Sequence, residues 1–149
     1  MVNGYLLSGL LALLAVSALP HELIGEWRVG RPYDLGVHHP VGLDDKQGKK
    51  IIGLVVSMSR GRINVCGKNV QIRSVAVTNA TAKDFLAEYG FTADRIGLSG
   101  DKIEEVTING SNNSKACGDF SDPGTHVFFD ADHAVLEVAN AYFRLSRRP

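Results

Sequence analysis

The sequence predicts a mainly β protein, an antiparallel β-barrel laid out as a meander with one or two short helices. Three observations carry this expectation. Short apolar runs with period-two alternation recur along the chain, Gly, Asn and Asp clusters separate them, and the last 25 residues read as three strands joined by tight turns.

Each element follows from local pattern. Trp27 and Val29 alternate with Glu26 and Arg28 in a first strand. Leu54, Val56 and Met58 share one face of a second, and Ile63 and Val65 follow the turn at Arg60-Gly61. The next strand starts near Gln71 and carries Val75 and Val77 on one face. Val106 and Ile108 alternate with Glu105 and Thr107 and end at Asn109-Gly110. The tail runs from Thr125 to Phe129, turns at Asp130 to His133, continues from Ala134 to Val138, turns near Asn140, and finishes from Tyr142 to Arg147. Thr81 to Tyr89 predicts a helix: Thr81 is a cap with Asp84 three residues on, Phe85, Leu86 and Tyr89 lie on one side, and Gly90 is the stop. Asp44 to Ile52 is a weaker helix, interrupted by Gly48. Ser111 to Ser114 reads as a polar loop, and no repeat or linker divides the chain.

Length and charge narrow the class of protein. The 149 residues suit one domain. Lys plus Arg balances Asp plus Glu at 16 each, which argues against a nucleic-acid partner. Leu6 to Val16 is an uncharged apolar run of about a dozen residues, too short for a bilayer core but suited to a secretion signal. Val16-Ser17-Ala18 supplies the small side chains of a cleavage site. The expected organisation is a signal peptide over residues 1–18 and a single barrel-like domain over 19–149, exported to the periplasm or beyond. Membrane association enters only if the signal stays uncleaved. Cys66 and Cys117 are the only cysteines, and an exported pair tends to oxidise. Closing a loop of about 50 residues would stabilise by about 4 kcal/mol on the chain-entropy account.

Gly25-Glu26-Trp27 near the start of the mature chain resembles the G-x-W of the calycin superfamily, the lipocalin-like small barrels. In that family an Arg near the end of the last strand stacks over the Trp and closes the barrel. The resemblance gives that role to Arg147, which shares a face with Phe143 and Leu145, with Arg144 as the alternative. Trp27, Phe128, Tyr142 and Phe143 are expected in the barrel framework. The chain departs from the family in its short first loop, Gly36 to Asp45, and in a helix placed mid-chain. It is also similar in layout to exported bacterial domains of unknown role.

Motifs for chemistry are sparse. His38-His39-Pro40 with Asp44 and Asp45 contains metal-ligating types, yet adjacent His side chains point apart and no third ligand has suitable spacing, so a solvated loop is expected. Asp130-Ala131-Asp132-His133 holds two carboxylates and an imidazole but reads first as a hairpin turn, with His126 loosely placed beside it. No G-x-S-x-G elbow occurs, and Ser99-Gly100-Asp101 is a turn. Asn79-Ala80-Thr81, Asn109-Gly110-Ser111 and Asn112-Asn113-Ser114 match the glycosylation pattern. The expectation is an exported, non-enzymatic binding domain without cofactor or metal, taking a small apolar ligand or an exported protein. An inhibitor of an exported hydrolase is one alternative, and a small hydrolase using Asp132 and His133 another. The expected binding residues are Tyr33, His38 and His39 in one loop and Asp130, Asp132 and His133 in the turn. A hollow barrel would favour ligand carriage; a barrel filled by its own side chains would favour partner binding.

Overall fold

A computed structural model of the chain describes residues 18–99, 101–110 and 125–149. The expected signal region up to Ser17, Ser111 to Ser114 with its glycosylation pattern, Gly100 and Cys117 lie outside the described residues, and with Cys117 the expected disulfide.

Eight antiparallel strands form a closed barrel in chain order. They are β1 Gly25–Pro32, β2 Val55–Met58, β3 Arg62–Val65, β4 Lys68–Ala80, β5 Ile103–Gly110, β6 His126–Phe129, β7 Ala134–Val138 and β8 Ala141–Arg147. The seam is the β1–β8 pair, where Trp27 faces Arg147 and Val29 faces Leu145. β4 begins at Lys68, ahead of the expected Gln71, because Cys66 and Gly67 both take positive φ (52° and 71°) and turn β3 back at once. That geometry matches a tight hairpin connection. Cys66 therefore sits at the tip of a hairpin.

Period-two alternation places one set of side chains inside. Every strand contributes to a single interior cluster, including Trp27, Val56, Ile63, Val106, Leu136 and Phe143. Both ends are capped. At one end a 3-10 turn, His21–Leu23, inserts Leu23, and Leu19 joins it. At the other end helix α1, Asp45–Ile51, drives Ile51 into the interior with 0% exposure. Asp44 and Gln47 form a reciprocal capping box, which with the burial of Ile51 offsets the helix-weakening Gly48. The barrel is filled by its own chain.

A second cluster lies outside the barrel. The β4–β5 connection carries helix α2, Ala82–Tyr89, and a 3-10 turn, Ala93–Ile96, across the outer face of β6, β7 and β8. Thr81 and Asp84 cap α2, and Gly90 ends it at φ 77°. Phe85 and Tyr89 point inward, whereas Leu86 is 44% exposed rather than on their side, since one residue is a rotation of about 100°. Phe128 and Tyr142 belong to this outer layer, which corrects the expectation that they join Trp27 and Phe143 in the barrel framework. Strands β6 to β8 are buried on both faces for that reason.

The excursion is locked at Gly97. It takes φ +76°, and a Cβ there would stand 2.6 Å from the Tyr33 hydroxyl. Gly97→Ala is expected to lose roughly 1–3 kcal/mol, measured by urea denaturation, and an unchanged midpoint would contradict this close approach.

Candidate functional site

The barrel closure is the first site-forming feature. The Arg147 guanidinium lies 4.4 Å from the centre of the Trp27 ring, donates to the Ile24 carbonyl at 2.8 Å, and also donates to the Glu22 carbonyl. Trp27 in turn donates from Nε1 to the Leu23 carbonyl at 2.9 Å. A cation over an indole face combined with forked donation is what a guanidinium does well. Arg144 points elsewhere, lying 5.5 Å from the Tyr33 ring centre with its Nε 3.3 Å from the Tyr33 hydroxyl.

Two clefts flank Tyr33. One, of about 580 Å³, opens at the barrel end that Trp27 and Arg147 close, and reaches Arg144 and the turn from Asp130 to His133. The other, of about 320 Å³, lies beneath the β1–β2 connection and is lined by Leu35, His39, Val41, Leu43 and Tyr142 among others. The expected binding residues are thus divided: Asp130, Asp132 and His133 line the first cleft, His39 lines the second, Tyr33 lines both, and His38 stands exposed outside them.

The turn residues are engaged by backbone. The Asp130 carboxylate accepts from the amides of Ser99, Asp132 and His133, each at 2.8 Å. Burial pushes its pKa up, but these three donors outweigh burial and hold it below the ordinary carboxylate value. Asp130 is therefore a structural clasp between the turn and the excursion. His39 does not join Asp44 or Asp45: its Nε2 meets the Asn140 carbonyl at 2.8 Å and its ring packs against Phe91 and Tyr142. Among the described residues no group of three His, Cys, Asp or Glu side chains could hold a metal ion.

A polar cluster missed by the sequence reading sits on the outer face. His126 bridges two carboxylates, with Nδ1 2.8 Å from Glu137 Oε2 and Nε2 2.6 Å from Glu105 Oε1. It pairs with these residues rather than joining Asp132 and His133, which lie past the far end of β6. Register explains the cluster: Glu105 faces Phe128 across β5–β6, His126 shares the Phe128 face, and Glu137 faces Tyr142 across β7–β8. The signal was present as parity, since His126 and Phe128 are two apart on one strand.

Burial draws the His126 pKa down, but its hydrogen bonds to Glu137 and Glu105 prevail and hold it above the ordinary value. For Glu137 burial pushes up, and the His126 and Asn140 donors prevail and hold it low. Tyr142 is pushed up to about 12, mainly by burial. The signs fix a pH window. The His126 contribution is full below its unfolded pKa of about 6.5 and disappears as pH rises through the higher folded value. The Glu137 and Asp130 contributions are full above about 4–4.5 and disappear as pH falls through their lower folded values. Thermal stability is expected to be greatest between about pH 4.5 and 6.5 and to decline on both sides. A melting temperature that climbs steadily from about pH 5, inside this window, to about pH 9, well above the His126 arm, would contradict this.

Eight antiparallel strands closed in a meander, with two short helices, fit a lipocalin-like barrel at the coarse level of architecture. No family model, no curated protein and no solved structure matches the chain. Among the described residues no helix is long and apolar enough to cross a membrane.

Proposed function

We propose that this chain is an exported, non-enzymatic binding domain of calycin-like type that recognises a partner protein through its outer surface. The reading rests on one observation: the barrel is packed with its own side chains and capped at both ends by Leu23 and Ile51. A ligand carrier of this fold keeps its interior open. The surface best suited to a partner surrounds the cleft beneath the β1–β2 connection. Val41 and Ile52, 48% and 40% exposed, line it, and Val37, 95% exposed, follows the lining residue Gly36; together they are three of the four large exposed hydrophobic side chains on the described surface. Exposed apolar groups gathered around a concavity favour protein contact over solvation.

The export part of the proposal draws on the apolar run from Leu6 to Val16 and on the cysteine pair. A small apolar ligand is the less favoured occupant because the available volumes are two clefts open to the surface rather than an enclosed barrel interior. The test is crosslinking of the natively expressed protein, followed by mass spectrometry of proteins and of an organic extract. A single crosslinked protein that is lost with Val37→Asp and Val41→Asp is the expected result. A stoichiometric organic ligand, or a partner that both variants retain, would overturn the reading.

A further inference from the structure

We propose that the proton on His126 is a latch: with it the loop over residues 36–43 is docked on the β7–β8 turn, and without it the loop is released. This inference stands on hydrogen bonds within the chain and does not depend on the partner proposed above.

The connection is continuous. Both ring nitrogens of His126 meet carboxylate oxygens, which only accept, so both nitrogens carry hydrogen and the ring is an imidazolium. The other oxygen of Glu137 accepts from the Asn140 amide at 2.6 Å. That amide belongs to a two-residue turn in which Ala139 and Asn140 both take positive φ, 50° and 64°, without a glycine. Such backbone is disfavoured, above all for Ala139, and relies on outside support. The same turn holds the loop: Gly42 donates its amide to the Ala139 carbonyl at 2.7 Å, and His39 donates from Nε2 to the Asn140 carbonyl at 2.8 Å. A Cβ on Gly42 would lie 3.1 Å from that of Ala139, so the loop and the turn are in close apposition.

Loss of one proton leaves a ring lone pair facing a carboxylate at hydrogen-bond distance, a repulsive contact. One carboxylate must turn away. The hydrogen that remains stays on Nε2, whose contact with Glu105 Oε1 is the shorter at 2.6 Å, against 2.8 Å from Nδ1 to Glu137 Oε2. Glu137 has only the turn amide as its second donor, so Glu137 yields and the turn loses its support. The charged groups that meet His126 among the described residues are Glu105 from β5 and Glu137 from β7, with Phe128 on its own strand 4.7 Å away; Tyr89 from α2 and Tyr142 from β8 stand near those carboxylates. Burial raises both tyrosines above their ordinary values, leaving them neutral as the imidazole titrates. His39 donates to its carbonyl from a neutral or a charged ring, so the loop's own histidine does not set the switch.

The test is amide hydrogen exchange of the full chain at about pH 5.5 and pH 8.5, corrected for intrinsic rates, alongside an NMR titration of the His126 ring. Protection of Gly42 is expected to fall at least about tenfold at the higher pH, with a midpoint matching that of His126. In Glu137→Gln the carboxamide can accept from Asn140 and donate to the neutral ring, so Gly42 is expected to stay protected at both pH values. Equal wild-type protection at both pH values, a midpoint away from that of His126, or a step that persists in Glu137→Gln would overturn the latch. The wild-type comparison decides the matter even if that variant does not fold.

Discussion

Phe128→Ala is expected to destabilise the protein by roughly 3–5 kcal/mol and to free the β4–β5 excursion from the barrel. The side chain is fully buried on the outer face, with ring centres of Phe85, Tyr89 and Tyr142 at 5.7, 5.3 and 5.9 Å. These are the tilted and edge-on arrangements that add to area burial. Removing the ring leaves a hole bounded by strands on one side and α2 on the other, and only the α2 side can move. Chemical denaturation would measure the loss, and limited proteolysis would locate it at residues 81–102. Cleavage confined to any other segment would show that Phe128 is not the anchor of the outer layer.

Ile51→Ala should have a comparable effect by a different route. Ile51 is the innermost residue of α1 and closes the barrel end opposite Trp27. Truncation removes burial and leaves a void, expected to cost roughly 2–5 kcal/mol. The void would be apolar, lined by the interior cluster, and such cavities bind small apolar solutes. A nonpolar fluorescent probe should therefore bind the variant and leave the wild type dark. Loss of less than about 1 kcal/mol with no probe binding would mean that α1 is not the plug, and the filled-barrel argument for partner recognition would fall with it.

The barrel was legible because one-sided strands announce themselves. In β1, β4 and β5 apolar and polar residues alternate, and the alternation survives as interior and solvent faces. Strands β6 to β8 hide their faces, since Val127, Phe128 and Phe129 are buried in succession, as are Ala134, Val135 and Leu136. A run buried on both sides carries no parity, so the sequence could not say that Phe128 and Tyr142 meet a second layer. α1 was understated for the opposite reason: Gly48 lowers local propensity, and the burial of Ile51 overrides it only in three dimensions.

The candidate sites were legible in part. Trp27 and Arg147 come from opposite ends of the chain, and only the G-x-W resemblance put them in one thought. Asp130 looks like chemistry in sequence because a carboxylate precedes a histidine, yet its oxygens are consumed by backbone amides. His126 shows the converse. Its partners lie 21 and 11 residues away on neighbouring strands, and no local motif spans such distances. Register, rather than composition, brings Glu105, His126 and Glu137 together.

The seam between β1 and β8 limits how anything can be recognised. Once the first strand pairs with the last, the sheet has no rim whose amides and carbonyls await a stranger. Recruiting an extended peptide as an additional strand would require prising that seam apart, and runaway self-association along a sheet margin is discouraged for the same reason. Selectivity is then left to side-chain shape and charge on the wall of the cylinder, where sequence can vary without disturbing the hoop of backbone bonds beneath.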